Sequence, residues 1–277
     1  MTIEAYAKLN LTLEVGGLRA DGYHELKSVV LPISLSDTIT VEADALGVYS
    51  SDTGYADDLC LKAAKALAAA TDCGKGARIK VVKRIPSGGG LGGGSADAAA
   101  VLRALNELWG LSLSIPQLAE IGAKVGSDVP SLVLGGPVLM SGRGERVSSI
   151  GLKDKLDFGI VLIDPKIHSS TREVYAAYAG NPIAQSSATE RMMDALKAGS
   201  LSAIGENLVN DLQAPACRLY PKIAEAMDDL RSLGARFVAM SGSGSCVFAL
   251  VPRDFAAELS SKMSTRGFSA WSLIAVP

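Results

Sequence analysis

Between Gly88 and Gly94 six of seven residues are glycine, interrupted only by Leu91. Upstream, Arg78 to Lys83 reads as a short strand; downstream, from Ala96 to about Leu108, the residues Val101, Leu102, Leu105 and Leu108 fall on one helical face. Strand, glycine loop and helix in that order direct several unpaired backbone N–H groups and the positive end of a helix dipole toward one point, which suits phosphate. One or two glycines would supply the positive φ of a plain turn, and each further one costs order in the unfolded chain. The excess therefore points to a binding loop rather than a spacer.

Three familiar phosphate motifs fail on their neighbours. Gly88, Gly90 and Gly93 satisfy a dinucleotide spacing, but the acidic residue expected about twenty positions later is missing, since Glu107 lies within the helix. Gly93-Gly94-Ser95 lacks the lysine of a P-loop. No HRD or DFG segment follows, which excludes a protein kinase.

Residues 2 to 15 alternate, with Ile3, Ala5, Ala7, Leu9, Leu11, Leu13 and Val15 on one side and Tyr6, Lys8, Asn10 and Thr12 on the other, as a half-buried strand would. Gly16 and Gly17 are expected to end it, and a second β region is expected over 23–41 with Pro32 marking an edge or bulge. Asp57 and Asp58 can cap a helix from Leu59 to about Ala70. Ser114 with Gln117 opens a helix expected to stop at Gly126, and Asp128 begins another element at once. Beyond Arg146 a polar stretch precedes the apolar run Phe158 to Ile163, which sets a domain boundary near 150, with units over 1–150 and 151–277. Helices are expected from Ser170 with Glu173, from Ser187 with Glu190, over 201–209, 222–233 and 254–265, and strands over 236–240, 246–251 and 269–276. That order resembles a split βαβ sandwich.

Lys plus Arg number 27 against 29 Asp plus Glu, a net charge of −2 without blocks of one sign, so neither nucleic acid nor a membrane is an expected partner. The longest uncharged apolar run, Phe237 to Pro252, is cut by Ser241 to Ser245, and the N-terminus has no apolar signal core; the cytoplasm is the expected compartment. Four separated cysteines and two histidines give no zinc or disulfide pattern, so no metal ligand is named.

The remaining pattern, Pro86-x-x-x-Gly90-Leu91-Gly92-Gly93-Gly94-Ser95-Ala96, resembles the ATP loop of the GHMP kinases. Ala5-Tyr6-Ala7-Lys8-Leu9-Asn10-Leu11 is similar to that family's opening strand, and Met240 to Phe248 to its C-terminal glycine motif. Arg19 to Leu26 with Tyr23-His24, Gly126-Ser127-Asp128-Val129-Pro130, and Ser170-Thr171 ahead of Val174-Tyr175 narrow the resemblance to a branch whose acceptor alcohol carries cytidine diphosphate. The resemblance implies an α+β, two-domain GHMP kinase fold, with a ribosomal-S5-like N-terminal domain and a ferredoxin-like split βαβ C-terminal domain. It implies ATP with Mg²⁺, and a chain acting as monomer or homodimer on a small molecule.

By the same resemblance Asp128 takes the proton of the acceptor hydroxyl, and Lys8 is its partner. Pro86, Gly88, Gly89, Gly90, Leu91, Gly92, Gly93, Gly94, Ser95 and Ala96 would hold ATP. Asn10, Tyr23, His24, Thr171 and Tyr175 would line the acceptor site, and Ser241, Gly242, Ser243 and Gly244 a second phosphate nest. Without the resemblance, Asp128 would read as a helix cap and Lys8 as a surface charge. Ser95 could cap the helix or face phosphate. Asp58 stands where the family usually has Asn, and Ala96 replaces a frequent serine. Two rival readings remain: a GHMP kinase for a smaller alcohol, which would need no aromatic for a base, and a silent sensor, which would need no catalytic carboxylate.

Overall fold

The computed structural model describes residues 1–44, 46–47, 49–54, 56–152, 154–178 and 187–276. Strands β1 (Thr2–Asn10) and β2 (Thr12–Leu18) break at Leu11 and both pair with β3 (His24–Asp44). At 21 residues β3 is the spine of the larger sheet, and it serves different partners along its length. Its first part also meets β6 (Val138–Gly142), its last part β5 (Gly76–Val82), which is flanked by the short β4 (Tyr49–Ser51). Gly16 and Gly17 do not end the first region, because β2 runs through them to Leu18. The expected bulge at Pro32 is present: the β1–β3 register shifts between Tyr6 and Lys8, and Lys8 faces Pro32. There β3 turns to another neighbour, with Ser34 N–H donating to Ile274 O and Val276 N–H to Pro32 O.

Helix α1 (Leu59–Thr71) starts where Asp58 Oδ1 accepts from Cys60 N and Leu61 N. Helix α2 (Gly93–Leu108) begins inside the glycine run, and its apolar face packs on β1 and α1. Helix α3 (Ile115–Gly122) ends four residues before Gly126, the chain continuing in turns to α4 (Val129–Leu134). The sequence reading missed the hairpin of β6 with β7 (Arg146–Ser149), whose turn carries Arg143.

The second sheet joins β8 (Gly159–Asp164), β10 (Phe237–Met240), β11 (Val247–Val251) and β12 (Ser269–Leu273) in the antiparallel order β10-β11-β8-β12, the split βαβ order expected. Between β8 and β10 come α5 (Thr171–Ala176), α6 (Ala188–Ala198), α7 (Leu201–Glu206), β9 (Val209–Asn210), α8 (Gln213–Leu219) and α9 (Pro221–Ser232); α10 (Ala256–Thr265) links β11 to β12. The short β9 pairs in parallel with β2, so a segment from the second half of the chain completes the larger sheet. The expected helix over 201–209 stops at Glu206 for this reason. Ser170 caps α5 by accepting from Glu173 N, whereas Ser187 makes no such bond at α6. Among the described residues no helix is long and apolar enough to cross a membrane.

Candidate active site

The strand, loop and helix around the glycine run enclose a cavity of about 420 Å³ lined by Pro86, Ser87, Gly88 to Ser95, Asp58, Lys83 and Asp97. The loop divides into two halves of different duty. Gly88, Gly89 and Gly90 lie against the C-terminal glycine segment: Ser245 N–H donates to Gly88 O at 3.4 Å, Cys246 N–H to Gly89 O at 3.2 Å, and Ser241 Oγ to Gly90 O at 3.0 Å. A Cβ on Gly90 would come within 2.0 Å of Ser241 O, and one on Gly89 within 2.5 Å of Cys246 Sγ. Part of the glycine excess thus serves backbone-to-backbone packing between distant segments. Gly92, Gly93 and Gly94 open α2 and present its free N–H groups to the cavity. Ala96 is buried and faces a separate cavity of about 900 Å³ that holds neither Lys8 nor Asp128.

The alternating N-terminal strand does present Lys8, Asn10 and Thr12 together, but that side is sealed: the three are 4%, 4% and 0% exposed. Lys8 Nζ donates to Asn10 Oδ1 at 2.5 Å and to Gly90 O at 2.9 Å, and lies 3.8 Å from Asp128 Oδ2. Its backbone N–H donates to Leu91 O at 3.0 Å, which pins β1 to the loop. Burial pulls the Lys8 ammonium below the usual lysine range, and the Asp128 carboxylate opposes that. Asp128 occupies the cap position of α4 yet its side chain makes no capping bond and faces Lys8 instead, while its carbonyl accepts from Ser131 Oγ at 2.7 Å. The carboxylate keeps 35% of its surface exposed.

Beside it, burial and the charge of Asp128 raise the Tyr175 hydroxyl above its ordinary range. Tyr175 lies 5.3 Å from the His24 ring, and Tyr178, which sequence reasoning did not single out, meets His24 edge-on at 6.2 Å. Tyr23 is not part of this cluster; it is half exposed, with Arg143 over its ring at 5.3 Å. Thr171, on the same short helix α5 as Tyr175, shares a bond of 2.8 Å with Ser243 Oγ. The Ser241 to Ser245 segment is itself held open: Asn210 Nδ2 donates to Met240 O and Gly242 O, both at 2.8 Å, and Ser169 Oγ donates to Ser243 O at 2.8 Å. Neither Asn210 nor Ser169 carries a sequence signal, because each acts through long-range contact to a backbone carbonyl.

Both Asp58 oxygens are engaged, one by the start of α1 and the other by Thr53 Oγ1 at 2.6 Å. Among the described residues no three His, Cys, Asp or Glu side chains cluster to hold a metal ion. The four cysteines are free thiols, and burial pushes those of Cys60 and Cys246 up.

Two family models match the chain, GHMP kinases N terminal domain over residues 58–136 and GHMP kinases C terminal over 192–269. A 4-diphosphocytidyl-2-C-methyl-D-erythritol kinase of Bacillus cereus (strain AH187) is 38% identical over 260 residues, covering 92% of this chain and 89% of the relative, and the same holds for one of Bacillus anthracis (strain CDC 684 / NRRL 3495). A crystal structure of 4-(cytidine 5'-diphospho)-2C-methyl-D-erythritol kinase superposes with a TM-score of 0.83 at 34% identity, covering all of both chains. A homoserine kinase from Cytophaga hutchinsonii shares the fold at a TM-score of 0.78 and 16% identity, covering 100% of this chain and 94% of its own.

Proposed function

Because the chain belongs to the GHMP kinases, we propose that it moves the terminal phosphoryl group of ATP to the 2-hydroxyl of 4-diphosphocytidyl-2-C-methyl-D-erythritol, in non-mevalonate isoprenoid precursor synthesis. The observation that carries the reading is the Lys8–Asp128 pair at 3.8 Å beside the glycine loop, in a chain 38% identical to kinases of that name.

Phosphoryl transfer requires mainly that an alcohol be held in line with the phosphate and that developing charge be neutralised. The mouth of α2 fits a triphosphate, with Gly92 to Gly94, whose N–H groups begin the helix, and Ser95 lining one cavity. When bound, Mg²⁺ would neutralise phosphate charge, carried chiefly by the phosphates themselves given the donor set here. Asp128 accepts the proton of the acceptor hydroxyl. Lys8, fixed by Asn10 and Gly90, steadies that hydroxyl and the carboxylate. His24, Tyr175 and Tyr178 form the aromatic wall against which a cytosine would lie, with Tyr23 and Arg143 at its exposed edge. Ser241 to Gly244 border the transferred group.

The division into units over 1–150 and 151–277 belongs to the same proposal, supported by the change of sheet between Ser149 and Gly159. So does action in the cytoplasm as a monomer or homodimer.

The test is ATP consumption with the cytidine-linked alcohol against a panel of simple alcohols. Turnover confined to the former, with Tyr175→Ala raising KM for it and leaving KM for ATP unchanged, is the expected result. Equal turnover of a small alcohol would overturn the substrate.

A further inference from the structure

Behind Lys8 runs a chain of buried polar groups that phosphotransfer itself leaves unused. Asn10, whose Oδ1 accepts a hydrogen bond from the Lys8 ammonium, donates from Nδ2 to Ser28 Oγ at 2.8 Å, and Ser28 Oγ donates to the backbone oxygen of Thr12. Thr12 Oγ1 accepts from Val29 N–H at 2.8 Å and meets Thr189 Oγ1 at 3.0 Å; Thr189 Oγ1 in turn donates to Glu14 Oε2. Every member is buried: Ser28, Thr12 and Thr189 at 0% and Glu14 at 2% exposure.

The donors and acceptors leave one consistent direction. A hydroxyl has a single proton, and that of Ser28 goes to a carbonyl, which can only accept. Ser28 must therefore receive from Asn10, so the amide presents its NH₂ to Ser28 and its oxygen to Lys8. Thr12 already accepts from Val29 and passes its own proton to Thr189, which passes its own to Glu14. The terminal carboxylate sets the sense of the hydroxyl pair and anchors Thr12, at the break between β1 and β2 where Ser28 finds its carbonyl.

Glu14 is a costly anchor. Its other oxygen, Oε1, is buried without a partner, and Lys27, directly opposite in the β2–β3 ladder, turns instead to Glu190. Thr189 lies on α6, outside the N-terminal strands that carry Lys8 and Asn10, so the chain of bonds ties the catalytic strand to the second half of the protein. We infer that Glu14 and Thr189 are positioning residues, which hold the Asn10 amide oriented and so fix the Lys8 ammonium toward the acceptor hydroxyl. The inference rests on the reading that Lys8 and Asn10 handle that hydroxyl.

The test compares Thr189→Val and Ser28→Ala with Thr189→Ser, which keeps the hydroxyl, each checked for a cooperative melt. Expected is a fall in kcat of about 10- to 100-fold for the first two, KM for ATP staying within about twofold, and recovery in Thr189→Ser. A purely structural role would lower the melting temperature and leave kcat per folded molecule unchanged; a folded Thr189→Val enzyme with kcat within about twofold of wild type overturns the inference, whatever Ser28→Ala does. Should Thr189→Val fail to fold, Thr189→Ala, which also removes the hydroxyl, decides in its place, because Ser28→Ala reads only the bond nearest Asn10 and spares Thr189 and Glu14. Wild type measured alongside separates the two questions: if it ignores the cytidine-linked alcohol, the substrate reading falls, and the same variants are compared on whichever alcohol it does phosphorylate.

Discussion

Lys8 Nζ and Asp128 Oδ2 stand 3.8 Å apart, the lysine side chain 5% exposed and the aspartate 35%. A hydroxyl oxygen can lie about 2.8 Å from both at that separation, so the pair is spaced to hold an alcohol between them rather than to close on each other. The two arrive by independent routes, Lys8 from the first strand and Asp128 from the turn before α4. Their meeting depends on α2, which packs against both elements.

Asp128→Asn is expected to lower kcat by about 10²- to 10⁴-fold, the usual contribution of a positioned base. Its effect on stability should be small, because the side chain makes none of the capping bonds whose loss typically costs about 1 kcal/mol. Thermal melting beside steady-state kinetics checks this. A melting loss as severe as the rate loss would mean that Asp128 is a structural cap after all.

The buried Lys8 sets an alkaline limit. Burial lowers its folded-state pKa below 10.5 and Asp128 raises it back in part. As pH climbs from the folded value toward 10.5, the unfolded chain binds the more protons, so stability from this group rises while the catalytic charge disappears. The rate should therefore fall on the alkaline side before an ordinary lysine would titrate, without loss of fold. In Asp128→Asn the Lys8 titration, followed by the ¹³Cε shift of labelled lysine, should move lower still. An unchanged or higher value would contradict the assigned pairing.

Two glycines of the loop should behave in opposite ways. Gly90 has a φ of +75°, and an added Cβ would collide with Ser241 O and Gly244 O, so Gly90→Ala should destabilise by well over the ~1–3 kcal/mol of local strain alone. Gly94 is helical, and a Cβ there meets only Leu59 Cδ1 at 3.5 Å. Gly94→Ala should leave stability unchanged or raise it by about 0.5–1 kcal/mol while weakening ATP binding at the cavity wall. Melting curves and a nucleotide titration distinguish the two. A destabilised Gly94→Ala would show that the first turn of α2 is strained.

These contrasts also show what could be read from the sequence. The N-terminal alternation placed Lys8 and Asn10 on one face, since side chains two apart on a strand must share it. That the face would be sealed rather than solvated could not be read, because the covering groups, Ser241 and Thr189, come from far along the chain. The β6–β7 hairpin escaped notice because its strands are short, of mixed polarity, and joined through Gly142-Arg143-Gly144. Helix α8 was missed because Pro215 suggests a break, although a proline in the first turn removes no helical bond. The glycine loop was legible as an anion site; that half of it packs on another backbone was not, for a glycine declares freedom of shape and not its neighbour.

Lys83 shares one ammonium between two buried carboxylates, bonding Asp37 and Asp97, while Asp97 Oδ1 has no partner. Asp37 is further satisfied by the backbone N–H groups of Arg84 and Ile85, so Asp97 is the weaker claimant. Burial raises its carboxyl to about 7, against the pull of Lys83. A carboxyl whose folded pKa lies above its unfolded value of 3.8 contributes stability that is complete below 3.8 and is lost as pH rises toward 7. Asp97→Asn cannot ionise, so its melting temperature relative to wild type should climb between those values and level off above them. If the difference stays flat across that window, Asp97 is ionised throughout and Lys83 serves both carboxylates equally.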